Sequence, residues 1–234
     1  MNKVIVGNCL EVMKKMRPNS IDLIITDPPY NKNKDYGIPN IDSKPEKEFW
    51  NFNLKWLKLC YKVLKPHCHI YWSCSHDQIF EYRKIIEKTK LKFNRLLIWF
   101  TNEPKLRLSH SKWLSTYEPI FFCSKEEPRA LQSPPKSLNI NNFDVIVARS
   151  PHRNSVIDKK YHIAQKPLKL MIKLVAKASE PGETVLDPFC GSGTTLVACK
   201  ILNRNYIGIE LNPEFVKICK YRLNNIPRKL SDFT

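Results

Sequence analysis

The first residues whose types and spacing suit chemistry are Asp27-Pro28-Pro29-Tyr30. A carboxylate at Asp27 accepts hydrogen bonds and donates none. Proline has no N–H and a fixed φ that keeps the backbone extended, so the carbonyl of Pro28 can serve as a second acceptor at the same place. Two acceptors suit one NH₂ group. The amine that needs them is one whose lone pair is delocalised into a ring, as on a nucleobase, while a methyl cation equivalent approaches it. Tyr30 would offer a flat face to a base taken out of its stack, a grip rather than a reacting group. Taken alone, the tetrapeptide also reads as an ordinary turn closing a strand.

A second constellation is Asp187-Pro188-Phe189-Cys190-Gly191-Ser192-Gly193-Thr194-Thr195, with Glu210 downstream. It follows a short apolar run and opens a helical one, the layout of a cofactor-binding turn. Gly191 and Gly193 would let the backbone come close to a ligand, and Glu210 stands at the distance where such folds put a carboxylate on ribose hydroxyls. No Walker lysine follows, which argues against a nucleoside triphosphate. Glycine turns before helices are common, and Glu210 could equally be a surface charge at a strand end.

The elements around both motifs read as alternating strands and helices. Val4 to Gly7 is a short apolar strand, Leu10 to Met16 a helix, and Ile21 to Thr26 a buried strand stopped by Pro28-Pro29. Residues 31–45 are polar, with Gly37 and Pro39, and are read as a mobile active-site loop because ordinary connections are shorter. Glu46 to Lys65 carries apolar residues at helical spacing and leads to a strand over Cys68 to Cys74. A helix over Gln78 to Lys88 and strands over Leu96 to Phe100 and Pro119 to Cys123 follow. Residues 101–160 read as an insertion, rich in proline and basic residues, with one short apolar run, Val145-Ile146-Val147. Order returns with a helix over Leu168 to Ala178, a strand Thr184 to Leu186, a helix Thr194 to Leu202, a strand Tyr206 to Ile209 and a helix from Pro213. A single domain over residues 1–234 is expected.

Composition narrows the partners. Lys and Arg number 39 against 22 Asp and Glu, a formal charge of +17, and a field of that sign draws polyanions by counterion release. Lys105, Arg107, Lys112, Trp113, Arg149 and Arg153 are the candidate groove and phosphate contacts, with a solvated basic surface as the competing reading. No apolar run approaches the roughly 18 residues of a spanning helix, and the N-terminus enters a strand without a signal-peptide core, so no membrane association and a cytoplasmic location are expected. The eight cysteines form no CxxC pair and suit buried, reduced thiols. His67, Cys68, His69, Cys74 and His76 flank a strand without paired ligand spacing, so no metal is expected. Most of the five tryptophans sit in helical or strand runs and read as core; Trp113, in a basic stretch, is the exception.

Taken together, these motifs resemble the beta class of DNA amino-methyltransferases, the adenine-N6 and cytosine-N4 enzymes of restriction-modification systems and orphan methylation. In that class the catalytic tetrapeptide precedes the cofactor motif. The similarity also takes in Val6 to Leu10, Ile21 to Tyr30, Tyr117 to Phe122, His162 to Pro167 and Gly208 to Leu211, leaving residues 31–45 and about 101–160 without a firm counterpart.

The resemblance implies a Rossmann-like α/β fold with a seven-stranded, mostly parallel sheet in which strand Thr184 to Leu186 is central. It implies S-adenosylmethionine as cofactor, S-adenosylhomocysteine as product, and double-stranded DNA as substrate. A homodimer and a cognate restriction endonuclease are plausible partners by the same likeness. It assigns Asp27, Pro28, Pro29 and Tyr30 to the target-base site. The cofactor would be held by Asn8, Cys9, Asp27, Lys166, Asp187, Phe189, Gly191, Ser192, Gly193, Thr194, Glu210 and Leu211, with Gln165 nearby. Asn8 replaces the aspartate usual at that position, a contact to the cofactor's adenine ring, while Ile163 and Ala164 replace a usual proline and threonine. An aspartate opening the tetrapeptide leans towards adenine N6; cytosine N4, an RNA or protein amine, and a silent DNA-binding subunit are the rival readings.

Overall fold

The structure, a computed structural model, describes residues 2–101, 113–133, 140–152, 159–161 and 164–226. Its centre is β2 (Ile21–Thr26), a continuous run buried at every position. Leu23 and Ile25 pack into one apolar cluster, Ile21 and Ile24 into another on the opposite face. Only a strand covered on both faces can use such a run, which is why it lacks polar alternation.

On one face lie α1 (Cys9–Lys15), α2 (Glu46–Val63) and α3 (Ile79–Glu87), packed against strands through Met13, Trp56, Leu57, Tyr82 and Ile86. On the other lie α4 (Leu168–Ala178), α5 (Thr194–Ile201) and α6 (Pro213–Asn224), which contribute Leu170, Val175, Leu196, Cys199, Cys219 and Leu223. The remaining strands are β1 (Lys3–Val6), β3 (Leu64–Ser73), β4 (Leu91–Phe100), β5 (Tyr117–Lys125), β6 (Val145–Val147), β7 (Thr184–Asp187) and β8 (Asn205–Glu210).

The sheet order is β1-β8-β7-β2-β3-β5-β4-β6. Strands β1, β8, β7, β2 and β3 are parallel neighbours, β5 runs antiparallel between β3 and β4, and β6 is parallel to β4. The two ends of the chain meet here as the permuted motif order requires, with Lys3 to Val6 paired to Ile207 to Glu210.

Among the described residues the sheet has eight strands where seven were expected. The addition is β6, three residues whose pairing to Ile98, Trp99 and Phe100 gives them strand geometry that so short a run cannot announce by periodicity. Strand β4 starts five residues before its expected position, because Lys92, Asn94 and Arg95 obscure its apolar pattern. The expected helix from Gln78 is a 3-10 turn (His76–Gln78) running into α3. Trp56, Trp72 and Trp99 are core as expected, and all eight cysteines are free and buried. Among the described residues no helix is long and apolar enough to cross a membrane, and no cluster of three metal-ligating side chains occurs.

This topology positions a site. From β2 the chain passes to α2 on one face, and from β7 to α5 on the other, so the connections diverge beyond the carboxyl ends of two adjacent strands. Open α/β sheets place ligands in the crevice this leaves.

Candidate active site

Both motifs open onto that crevice. A cavity of about 290 Å³ is lined by Asn8, Cys9, Asp27, Pro29, Lys166, Asp187, Phe189, Gly191, Ser192, Thr194, Glu210 and Leu211, among others. Twelve expected site residues from five separate segments thus line one cavity. Of the expected site residues, Pro28, Tyr30 and Gly193 are not part of its lining.

The turn after β7 is shaped by backbone geometry. Gly193 has φ +82° and a Cβ built on it would lie 2.2 Å from Cys219 Sγ on α6. Only glycine satisfies both the left-handed conformation and the close approach. Gly208 on β8 is equally confined, with Leu196 Cδ1 2.4 Å from its would-be Cβ. The Glu210 carboxylate accepts from the backbone N–H groups of Gly191 (2.9 Å) and Asn212 (2.8 Å), so it is fixed at the cavity edge. Burial raises its pKa, against those hydrogen bonds.

Asp187 is buried, accepting from Thr26 Oγ1 at 2.7 Å and from the Phe189 N–H at 3.1 Å. Burial pushes its carboxyl up to about 7, opposed by these bonds and one from Thr195, with a smaller upward push from Asp27. Asn8 caps α1, its Oδ1 accepting from the Leu10 N–H at 2.9 Å. Asparagine and aspartate cap equally well, so the departure from the family's residue leaves this helix start intact. Cys9 beside it has a thiol pushed up to about 12 by burial, an inert packing group rather than a nucleophile.

The Asp27 end is built from side chains. Tyr30 is 8% exposed, and its hydroxyl donates to Asp27 Oδ1 at 2.5 Å. The Lys166 ammonium donates to Asp27 Oδ2 at 2.6 Å and pairs with Glu118 Oε2 at 3.0 Å. It also lies 5.4 Å from the centre of the Tyr30 ring and 5.8 Å from that of Trp99. Burial favours the neutral amine, yet the two carboxylates outweigh it and hold the Lys166 pKa up at about 12. Tyr30 is raised well above its ordinary value, by burial first and then by the charges of Asp27 and Glu118. Gln78 secures the turn by donating to the Tyr30 carbonyl at 2.5 Å.

Two participants have no sequence-assigned role. Glu118, the second residue of β5, reaches the same end of the sheet because β5 is antiparallel; its signal was a lone acid at the start of an apolar strand. Arg222, buried on α6, donates to Ser192 O (2.9 Å), Ser192 Oγ (3.0 Å) and Thr194 Oγ1 (2.9 Å), bracing the glycine turn. An arginine in the last turn of a helix carries no such signal in sequence.

The loop over residues 31–45 folds around Asp42, whose carboxylate accepts from the N–H groups of Asn31 (2.7 Å), Lys32 (3.1 Å) and Lys34 (2.8 Å). Tyr36, Ile38, Pro39 and Ile41 from this loop line the cavity, and Asn212 holds the Tyr36 carbonyl at 2.9 Å. Of the candidate DNA contacts, Trp113 is fully exposed just before β5, and Arg149 is exposed just after β6. Strand directions put both at the Asp27 end of the sheet. Lys105, Arg107, Lys112 and Arg153 lie outside the described residues.

A parallel sheet with a glycine turn after one strand, a ribose-range carboxylate after the next, and an Asp-Pro-Pro-Tyr turn after a third defines a Rossmann-like methyltransferase. The chain belongs to the N6/N4 methyltransferase family, described as DNA methylase, whose model matches residues 21–221. It is 34% identical over 235 residues to the type II methyltransferase M.HpaI of Haemophilus parainfluenzae, covering 95% of this chain and 74% of that protein. It is 30% identical over 237 residues to M2.MboI of Moraxella bovis, covering 94% and 86%. The crystal structure of an M1.HpyAVI-SAM complex superposes with a TM-score of 0.73 at 28% identity, covering 95% of this chain and 100% of that one. The protein is accordingly a DNA methyltransferase that uses S-adenosylmethionine.

The crevice fits that cofactor. Its walls combine the apolar faces of Phe189, Ile209 and Pro188 with three carboxylates, Asp27, Asp187 and Glu210. Asn8, Gln165, Lys166, Ser192 and Thr194 add hydrogen-bond donors to those walls, a mixed lining that suits a cofactor carrying an aromatic ring, hydroxyls and a carboxylate.

Proposed function

We propose that the protein methylates adenine N6 within a specific double-stranded DNA sequence, acting on a base flipped into the space before Asp27. The observation that carries this reading is the Asp27 carboxylate, fixed by Tyr30 and Lys166 on the wall of the cofactor cavity. Asp27 and the Pro28 carbonyl accept the two N–H bonds of the amine and direct its nitrogen at the methyl group. As positive charge grows on that nitrogen, the carboxylate stabilises it, and no covalent enzyme–base bond is needed. Bound S-adenosylmethionine supplies the electrophilic methyl. Glu210 takes the ribose hydroxyls, the turn through Gly191, Ser192 and Thr194 receives the methionine end, and Asn8 and Leu211 border the adenine.

Tyr30 is the stacking face for the base. Lys34 stands 5.5 Å from the centre of its ring, so base entry displaces this part of the loop. Residues 31–45 move with it, and 101–160 read the DNA, with Trp113 and Arg149 on the rim. The enzyme works in the cytoplasm, where its eight buried thiols stay reduced, as a homodimer paired with a restriction endonuclease of the same recognition sequence.

The test is mass spectrometry of nucleosides from unmethylated DNA treated with the protein and S-adenosylmethionine. N6-methyladenine is expected. N4-methylcytosine overturns the base assignment alone, and no product on diverse DNA overturns the reading.

A further inference from the structure

The Asp27 end holds more charge than binding an amine requires. Two carboxylates share one buried ammonium: Lys166 Nζ is 2.6 Å from Asp27 Oδ2 and 3.0 Å from Glu118 Oε2. The Tyr30 hydroxyl leans the same way, 2.5 Å from Asp27 and 3.4 Å from Glu118. As long as Lys166 and Tyr30 both donate to Asp27, its acceptor strength is divided between them. An ammonium beside an amine that is becoming positively charged also opposes the reaction.

Glu118 offers a second place for that ammonium. It is held by the sheet, opposite Trp99 in the β4–β5 ladder, so its backbone is set by strand pairing and not by a loop. Lys166 Nζ lies over the rings of Tyr30 and Trp99, 5.4 and 5.8 Å from their centres, and both faces attract a cation held near the two carboxylates. A shift of the ammonium towards Glu118 thus costs little solvation and leaves the cluster with the same net charge.

We propose that Glu118 is a positioning residue that takes Lys166 over from Asp27 when the target amine arrives, freeing the Asp27 carboxylate to accept the N–H. This rests on the reading of Asp27 as the amine acceptor. Without Glu118 the ammonium stays on Asp27 and competes with every incoming base. Glu118 is not among the residues lining the cofactor cavity, so cofactor binding should change little without it.

The experiment compares wild type with Glu118→Gln, which keeps shape and removes charge. Single-turnover methyl transfer, equilibrium binding of S-adenosylmethionine and thermal unfolding are followed together. The expected result is transfer slowed about tenfold or more, with cofactor affinity and melting temperature near wild type. Crystal structures of the wild type with and without DNA carrying a flipped target supply a readout that needs no variant: Lys166 Nζ should move beyond about 3.5 Å from Asp27 and remain hydrogen-bonded to Glu118. A wild-type transfer rate in Glu118→Gln, a loss explained by weaker cofactor binding, or Lys166 still on Asp27 in the DNA complex would overturn the proposal. Product formed by the wild type in the same assay reports separately on the parent reading.

Discussion

The two halves of the proposed site are built by different means. The proposed cofactor half is a piece of backbone: a left-handed glycine, two N–H groups closing on Glu210, and a helix start, all between β7 and the residues just after β8. The proposed target half is a cluster of four side chains from three places, with Asp27 and Tyr30 after β2, Glu118 on β5 and Lys166 before α4. A site made of backbone should fail through strain and take the fold with it. A site made of side chains should lose chemistry while the fold stands.

The largest expected effect tests the second half. Asp27→Ala should reduce single-turnover transfer by about 10³-fold or more while leaving cofactor affinity within a few-fold. Near-normal turnover would remove Asp27 from the amine site, and a matching collapse of cofactor binding would erase the distinction between the halves.

Gly193→Ala probes the first half. A methyl group there meets Cys219 Sγ and forces a left-handed conformation on alanine, so stability should fall by roughly 2–3 kcal/mol in denaturant unfolding. Cys219→Ala in the same chain should recover part of the loss by removing the sulfur but not the strained φ. An unchanged midpoint in the single variant would show that the turn is not held as tightly as its geometry requires.

Asp187 sharpens the contrast through pH. Its folded-state carboxyl, held at about 7 mainly by burial, binds a proton more tightly than the unfolded chain does. Its contribution is therefore favourable at low pH and is lost as pH rises from about 4 to about 7. Unfolding of the cofactor-free protein should show this decline, and Asp187→Asn should flatten it. A decline that persists in the variant would place the titration elsewhere.

The smallest effect belongs to Asn8. Because either residue caps α1, Asn8→Asp should leave the melting temperature near wild type. It should tighten S-adenosylmethionine roughly two- to tenfold by adding a carboxylate to the cavity that holds a cation. Weaker binding would mean that the asparagine amide itself donates to the cofactor.

Much of this was legible in one dimension because it is local. The run Ile21 to Thr26 has the apolar continuity of a strand covered on both faces, and Gly191-Ser192-Gly193 after Leu186 has the punctuation of a strand-to-helix turn. Trp56 and Trp72 lie at positions whose spacing already marks them as core. What escaped depended on pairing across the chain. The strand Val145–Val147 exists because β4 offers it an edge, and Glu118 reaches the site only because β5 reverses direction.

By itself, then, the sequence determined the order of the motifs, the glycines that shape the turn, and the acceptor chemistry of Asp27 with its proline neighbours. These depend on residues close together in the chain, whose conformations follow from missing Cβ atoms, missing N–H groups and apolar spacing. Only the tertiary structure decided that Lys166 would be shared by Asp27 and Glu118, and that Arg222 would brace Ser192 and Thr194. Such contacts are set by which strand edges pair and which helix covers which face, and the free energy that selects them comes from burying the whole sheet at once.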